Sequence, residues 1–73
     1  MQGLRRLRKR ALLSVKQLAE QVGVNRQTLY LWERGETWPR AEYIPRLAQA
    51  LRVEVKDVLD ALEETAKHFQ AAS

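Results

Sequence analysis

Between Ser14 and Gly35 the chain is punctuated too tightly for one long helix or for a flexible linker. Ser14-Val15-Lys16-Gln17 has the form of a capping box, in which the hydroxyl accepts from the backbone N–H three residues on and the Gln side chain reaches back. Leu18, Ala19 and Val22 follow on one helical face, and Gly23 ends the segment without the Cβ penalty that positive φ imposes on other residues. Only Val24 then separates that glycine from Asn25, a good N-cap for a further helix over Arg26 to Arg34, which Gly35 closes. Helices of about eight or nine residues joined this closely cannot lie in line. They must cross at a steep angle.

The remainder of the chain is helical in its periodicity. Leu4, Leu7 and Ala11 share one face of a first helix from about Gly3 to Ala11, with Arg5, Arg6, Lys9 and Arg10 mostly on the other. That basic face is expected to be solvated. Thr37-Trp38-Pro39 is a loop, with Trp38 expected to pack over the end of the third helix. A fourth helix, Ile44, Leu47, Ala48 and Leu51 inward, ends near Leu51. Its start is expected close to Pro45, because proline suits a first helical position and not an interior one. Val55, Val58, Leu59, Leu62, Ala66 and Phe69 trace one stripe of a long fifth helix, and Val53–Val55 is too short for a strand. The predicted fold is all-α, a compact bundle of five helices in one domain over residues 1–73, with a core at about 4–60 and a C-terminal helical extension over 61–73. Val55, Val58 and Leu59 are expected in the core. Leu62, Ala66 and Phe69 run beyond a minimal bundle and are expected to form a dimer seam.

Composition narrows the function classes. The 73 residues contain no cysteine and a single histidine, His68, so disulfides, thiolate metal sites and a histidine metal cage are excluded. No cofactor is expected, and His68 reads as a solvated side chain. Apolar runs such as Ala11–Leu13 are far too short to span a membrane, and the basic start MQGLRRLRKR lacks the apolar stretch of a signal peptide. A cytoplasmic location is expected. Ser14 and Ser73 are the only serines, with no nucleophile–base arrangement around them. Glu63 and Glu64 are adjacent and point apart on a helix, and no glycine-rich phosphate loop is present, so an enzyme is not expected. Charge is uneven: residues 1–52 hold eleven Lys/Arg against four Asp/Glu, and residues 53–73 hold two against five. A basic block on a small domain points to a polyanion, nucleic acid before membrane. The acidic end would face away from that partner, or pair with the basic part of a neighbouring chain.

On a 100°-per-residue wheel the third helix has two faces. Leu29 and Trp32, with Thr28 and Glu33, form one arc; Arg26, Gln27, Tyr30, Leu31 and Arg34 fill the other. The short helix before it turns this second arc outward. A helix about 10–12 Å across fits a major groove about 12 Å wide. There Arg bonds guanine O6 and N7 as a fork, and Gln bonds adenine N6 and N7.

Leu18-Ala19, Gly23-Val24, Thr28-Leu29 and Trp32-Glu33-Arg34-Gly35, followed by Pro39 and Leu47-Ala48-Gln49-Ala50-Leu51, resemble the XRE or Cro/phage-repressor-type helix-turn-helix over roughly residues 4–60. The resemblance implies a lambda-repressor-like bundle whose second and third helices read duplex DNA, as a homodimer on a palindromic operator. It puts Arg26 and Gln27 at the main base-reading positions. Leu31 takes a further groove-facing position, where it would touch a thymine methyl. Tyr30 and Arg34 lie towards the DNA backbone, and Lys16, Asn25, Thr28, Thr37 and Arg40 match phosphate-contacting positions. Arg8 and Glu33 match a buried salt bridge between helices one and three.

Departures from the family pattern are specific. Val15 stands where a DNA-touching Gln is frequent. Leu12 and Arg52 stand where glycines often end helices one and four, each costing about 1 kcal/mol if φ must be positive there. Tyr30 and Leu31 are more apolar than is usual on a DNA-facing surface. The leading reading is therefore a transcriptional regulator of the repressor type. The alternative is a protein–protein interaction module, an antitoxin or regulatory partner for example, using the Tyr30/Leu31 face and the C-terminal helix.

Overall fold

The computed structural model describes residues 3–72, with side chains described from Gly3 to Ala66. The described residues form five helices: α1 (Gly3–Arg10), α2 (Val15–Val22), α3 (Arg26–Arg34), α4 (Tyr43–Leu51) and α5 (Val55–Ala72). α1 and α4 both pack against α5, α2 packs against α3 and α4, and α3 also touches α1 and α5. One apolar cluster sits between them, built from Leu4, Leu18, Val22, Leu29, Trp32, Ile44, Leu47, Leu51, Val58 and Leu62 with small Ala19 and Ala48.

The α2–α3 punctuation is as its local chemistry demands. Gln17 N–H donates to Ser14 Oγ at 3.1 Å, and Ser14 N–H donates to Gln17 Oε1 at 2.9 Å. Gly23 leaves α2 at φ +91°, and Asn25 Oδ1 then caps α3 by accepting from Thr28 N–H at 2.8 Å. Gly35 leaves α3 at φ +78°. Among the described residues, two more have positive φ, Leu12 at +60° and Arg52 at +58°, at the ends of α1 and α4. The backbone there does require the left-handed region, with no glycine to ease it.

One boundary and one stripe differ from the sequence reading. α4 begins at Tyr43, so Pro45 is its third residue and not its first. The chain enters through a preceding turn, with Tyr43 N–H donating to Arg40 O at 2.9 Å and Ile44 N–H to Ala41 O at 3.1 Å. A proline in the first turn forfeits an N–H that has no intrahelical acceptor. In α5 the buried stripe is Val58, Ala61, Leu62 and Thr65, whereas Val55 and Leu59 are 43% and 38% exposed. Small and polar residues carry part of that stripe because α1 comes very close. A Cβ on Gly3 would stand 2.8 Å from the Ala61 carbonyl oxygen. Leu4 N–H donates to Thr65 Oγ1 at 3.4 Å, and that hydroxyl donates to Ala61 O at 2.9 Å. An unpaired amide at the start of α1 is thus satisfied from 61 residues away.

Leu62 is correspondingly not available to a dimer seam. It is 2% exposed and belongs to the protein's own core. Ala66 is half-buried, and the side chains of Phe69 and His68 lie outside the described residues.

Candidate nucleic-acid interface

α3 is held from three sides. Its Leu29 and Trp32 are buried in the apolar cluster. The Trp32 ring lies 5.5 Å from that of Tyr43 at 47°, and the Arg46 guanidinium stands 5.7 Å over Tyr43 while donating to Val22 O at 3.3 Å. This column joins α2, α3 and α4. From α1, Arg8 Nε donates to Glu33 Oε2 at 2.7 Å and its Nη2 to Oε1 at 3.4 Å, while Nη1 donates to Leu13 O at 3.0 Å. Both partners are buried, Arg8 at 9% and Glu33 at 3% exposure. Forked geometry of this kind gives direction as well as attraction. No described buried side-chain nitrogen or oxygen is left without a partner. The inner side of α3 therefore cannot turn without breaking an ion pair, an aromatic contact and apolar packing together.

The opposite side is open. Arg26, Gln27, Tyr30 and Arg34 are exposed, and Leu31 is half-buried. Gln27, Tyr30, Leu31 and Arg34 line one shallow depression. Among the described residues Arg26 makes no ion pair, whereas Arg34 is paired with Glu36 just beyond the helix. That pair is exposed, so a phosphate can compete for Arg34 at small cost. The face is cationic at both ends and apolar between them.

The other candidate residues surround this face in sequence and lie on accessible chain. Lys16 is exposed in the first turn of α2; Asn25 is exposed and Thr28 half-buried at the start of α3; Thr37 and Arg40 are exposed in the α3–α4 connection. Asn25 is committed through its oxygen to the cap, which leaves its amide hydrogens outward. The α2 and α3 starts also hold amides without intrahelical acceptors, a favourable setting for anions. Val15, half-buried, packs against the core. Trp38 is 50% exposed, and neighbouring Pro39 is buried.

Part of the acidic end of the chain is paired within the molecule. Arg6 pairs with Glu64 at 3.5 Å, and Arg6, Arg10, Asp57, Asp60 and Glu64 line one groove between α1 and α5. The basic face of α1 is thereby partly neutralised within the molecule. Sequence reasoning missed three supports of the interface: Arg46 and Tyr43, which brace Trp32, and Thr65, which fixes the start of α1. Only a neighbour from another helix gives these residues their role, so no spacing in the sequence marks them.

Among the described residues no helix is long and apolar enough to cross a membrane, and no cluster of His, Cys, Asp or Glu could hold a metal ion. No curated protein and no solved structure matches the chain. A helix-turn-helix family model matches residues 4–58, a span that includes all of α2 and α3 and both residues of the Arg8–Glu33 pair. The chain accordingly belongs to the XRE/Cro/lambda-repressor-type helix-turn-helix family of DNA-binding regulators.

Proposed function

We propose that the protein is a transcriptional repressor that binds a palindromic operator as a homodimer and inserts one α3 into the major groove of each half-site. One observation carries this reading: α3 is locked on its inner side, yet Arg26 and Gln27 stand open in its first turn. Arg26 reads guanine and Gln27 reads adenine, the pairings their forked donors and acceptors favour. Lys16, Thr37 and Arg40 hold phosphates, joined by Arg34 once it leaves Glu36, and Asn25, Thr28 and Tyr30 contribute towards the backbone. Phosphate contacts of this kind set register and carry no sequence information.

Dimer formation is supported by α5, where Val55, Leu59 and Ala66 recur at i, i+4 and i+11 beside the buried stripe, with Val55 and Leu59 exposed. Two half-sites about one DNA turn apart would then match two copies of α3.

The test is selection of bound duplexes from a random pool, followed by titration of the best sequence against salt. A palindrome with half-sites about 10 bp apart is expected. Arg26→Ala and Gln27→Ala should each cost about 1–3 kcal/mol of specific binding with melting unchanged. Unchanged affinity in both variants removes the base-reading assignment. Steep salt dependence without any enriched sequence would leave only a phosphate-directed term. A single unpaired half-site would remove the dimer.

A further inference from the structure

The two left-handed positions without glycine, Leu12 and Arg52, stand together on the surface. Both line one hollow, where the ends of α1 and α4 meet. Leu7, Ala11 and Val53 are half-buried, pack against the core and form its floor. Arg10, Leu12 and Arg52 are exposed around them. Backbone strain that nothing local offsets is a reason to look for a function at the same place. Nothing local offsets it at Leu12. Its side chain is 89% exposed, and it is Leu13, packed against the core, that holds the turn. Glycine would serve that turn with less strain, so the leucine side chain is surplus to the fold.

An exposed leucine beside an apolar floor calls for an apolar group to cover it, and the arginines define what surrounds that group. Among the described residues neither Arg10 nor Arg52 makes an ion pair, unlike Arg6, Arg8 and Arg34. A DNA backbone would satisfy the arginines, but it is a charged strand that does not cover a leucine. A protein segment with large apolar residues next to carboxylates satisfies both. The hollow also continues along α1, sharing Leu7, Arg10 and Val53 with the groove of α5. There Arg6 is paired with Glu64, leaving Asp57 and Asp60 in excess. Carboxylates of an occupant are thus attracted at the Leu12 end and repelled further along, which sets its direction.

We propose that this hollow docks an amphipathic helix of a partner protein. Leucine-type side chains of that helix lie against Leu7, Leu12 and Val53, and carboxylates at one of its ends pair with Arg10 and Arg52. Laying the apolar side of a helix into a groove is a general mode of peptide recognition. The hollow shares no residue with the outer face of α3, so docking does not use the surface proposed to read DNA.

The probes are leucine–alanine peptides of about 16 residues, long enough to form helix alone. One carries glutamates in its first turn, one carries lysines there, and one scrambles the glutamate peptide. Amide shifts of the labelled full chain are followed by NMR. The glutamate peptide should bind saturably and shift Ala11, Leu12, Arg52 and Val53, and the lysine and scrambled peptides should bind about tenfold more weakly. Leu12→Gly should weaken the glutamate peptide about tenfold, and Arg52→Gly about two- to fivefold. Both variants should melt no lower than wild type, because glycine suits left-handed backbone, so loss of docking is separated from loss of fold. No saturable shift, shifts on α3 in place of the hollow, or full affinity in Leu12→Gly overturns the proposal. Sedimentation that shows a wild-type dimer and a Leu12→Gly monomer would give the hollow to a second copy and overturn it too. So would a shallower salt dependence of duplex binding in Arg10→Gln and Arg52→Gly, which would assign these arginines to phosphates.

Discussion

The α2–α3 unit and the α1–α4–α5 frame around it end their helices in the same way with different residues. All four exits before α5 pass through left-handed backbone, and in each the next amide bonds back across the final turn: Leu13 to Arg8 O, Val24 to Ala19 O, Glu36 to Leu31 O and Val53 to Ala48 O. Glycine occupies the left-handed position after α2 and α3; Leu12 and Arg52 occupy it after α1 and α4. Glycine adopts that conformation freely, whereas an L side chain is strained there by roughly 1–2 kcal/mol. At Leu12 and Arg52 the following residue is apolar, Leu13 or Val53, and packs against the core. That contact holds the exit in place of glycine. At Gly35 the following residue is exposed Glu36, and glycine carries the turn without it. Gly23-Val24 has both devices, at the joint between the two helices of the DNA-reading unit. A left-handed helix end can thus be specified by a residue that tolerates it or by a neighbour that compels it.

Four variants sharpen or break the comparison. The largest effect is expected at Glu33, which bolts the reading unit to the frame. Glu33→Ala leaves the Arg8 guanidinium buried without its carboxylate and should cost about 3–5 kcal/mol in urea or thermal unfolding. A loss under 1 kcal/mol would mean that the two regions are held by packing alone. Gly23→Ala comes next, at about 1–2 kcal/mol, because φ +91° disfavours any Cβ. The added carbon would also stand 3.3 Å from Arg46 Nη1 and disturb its bond to Val22 O.

Smaller effects of opposite sign are expected in the frame. Leu12 is 89% exposed, so Leu12→Gly relieves strain while removing little packing. It should raise stability by about 0.5–1 kcal/mol. A destabilised Leu12→Gly would show that this leucine contributes packing after all, and the contrast with Gly23 would fail. The smallest change is expected for Arg6→Ala, under about 0.5 kcal/mol, since its pair with Glu64 is exposed on both sides. Its removal should also leave the salt dependence of DNA binding unaltered, because Arg6 lines the groove between α1 and α5 and not the outer face of α3. A shallower salt slope would place Arg6 on the DNA instead.

Legibility in the sequence followed the range of the interactions. Helix boundaries around α2 and α3 were readable because Ser14–Gln17 and Asn25–Thr28 are hydrogen-bonded over three residues. The two faces of α3 were readable because a helical wheel needs only the sequence and the turn before it. The inward face of α5 was not. Its large apolar residues suggested a stripe through Val55 and Leu59, and the observed one is displaced towards Ala61 and Thr65, where α1 approaches. Pro45 misled for a related reason, since a turn from Arg40 onwards had already begun the helix.

By itself the sequence determined what short-range chemistry can specify: the all-α class, the caps and the single-residue joint of α2 and α3, the polar–apolar division of α3, and the glycine-less exits at Leu12 and Arg52. Tertiary structure decided which side of α5 is inside, that Leu62 belongs to the core, and that Glu64 of the acidic end pairs with Arg6 of α1. It also supplied Arg46 over Tyr43 and Thr65 beneath Leu4, the contacts that keep the reading helix and its frame in place. The reason is physical. A cap is satisfied by a residue three positions away, but a buried face is defined by the helix packed against it, and that partner lies tens of residues distant along the chain.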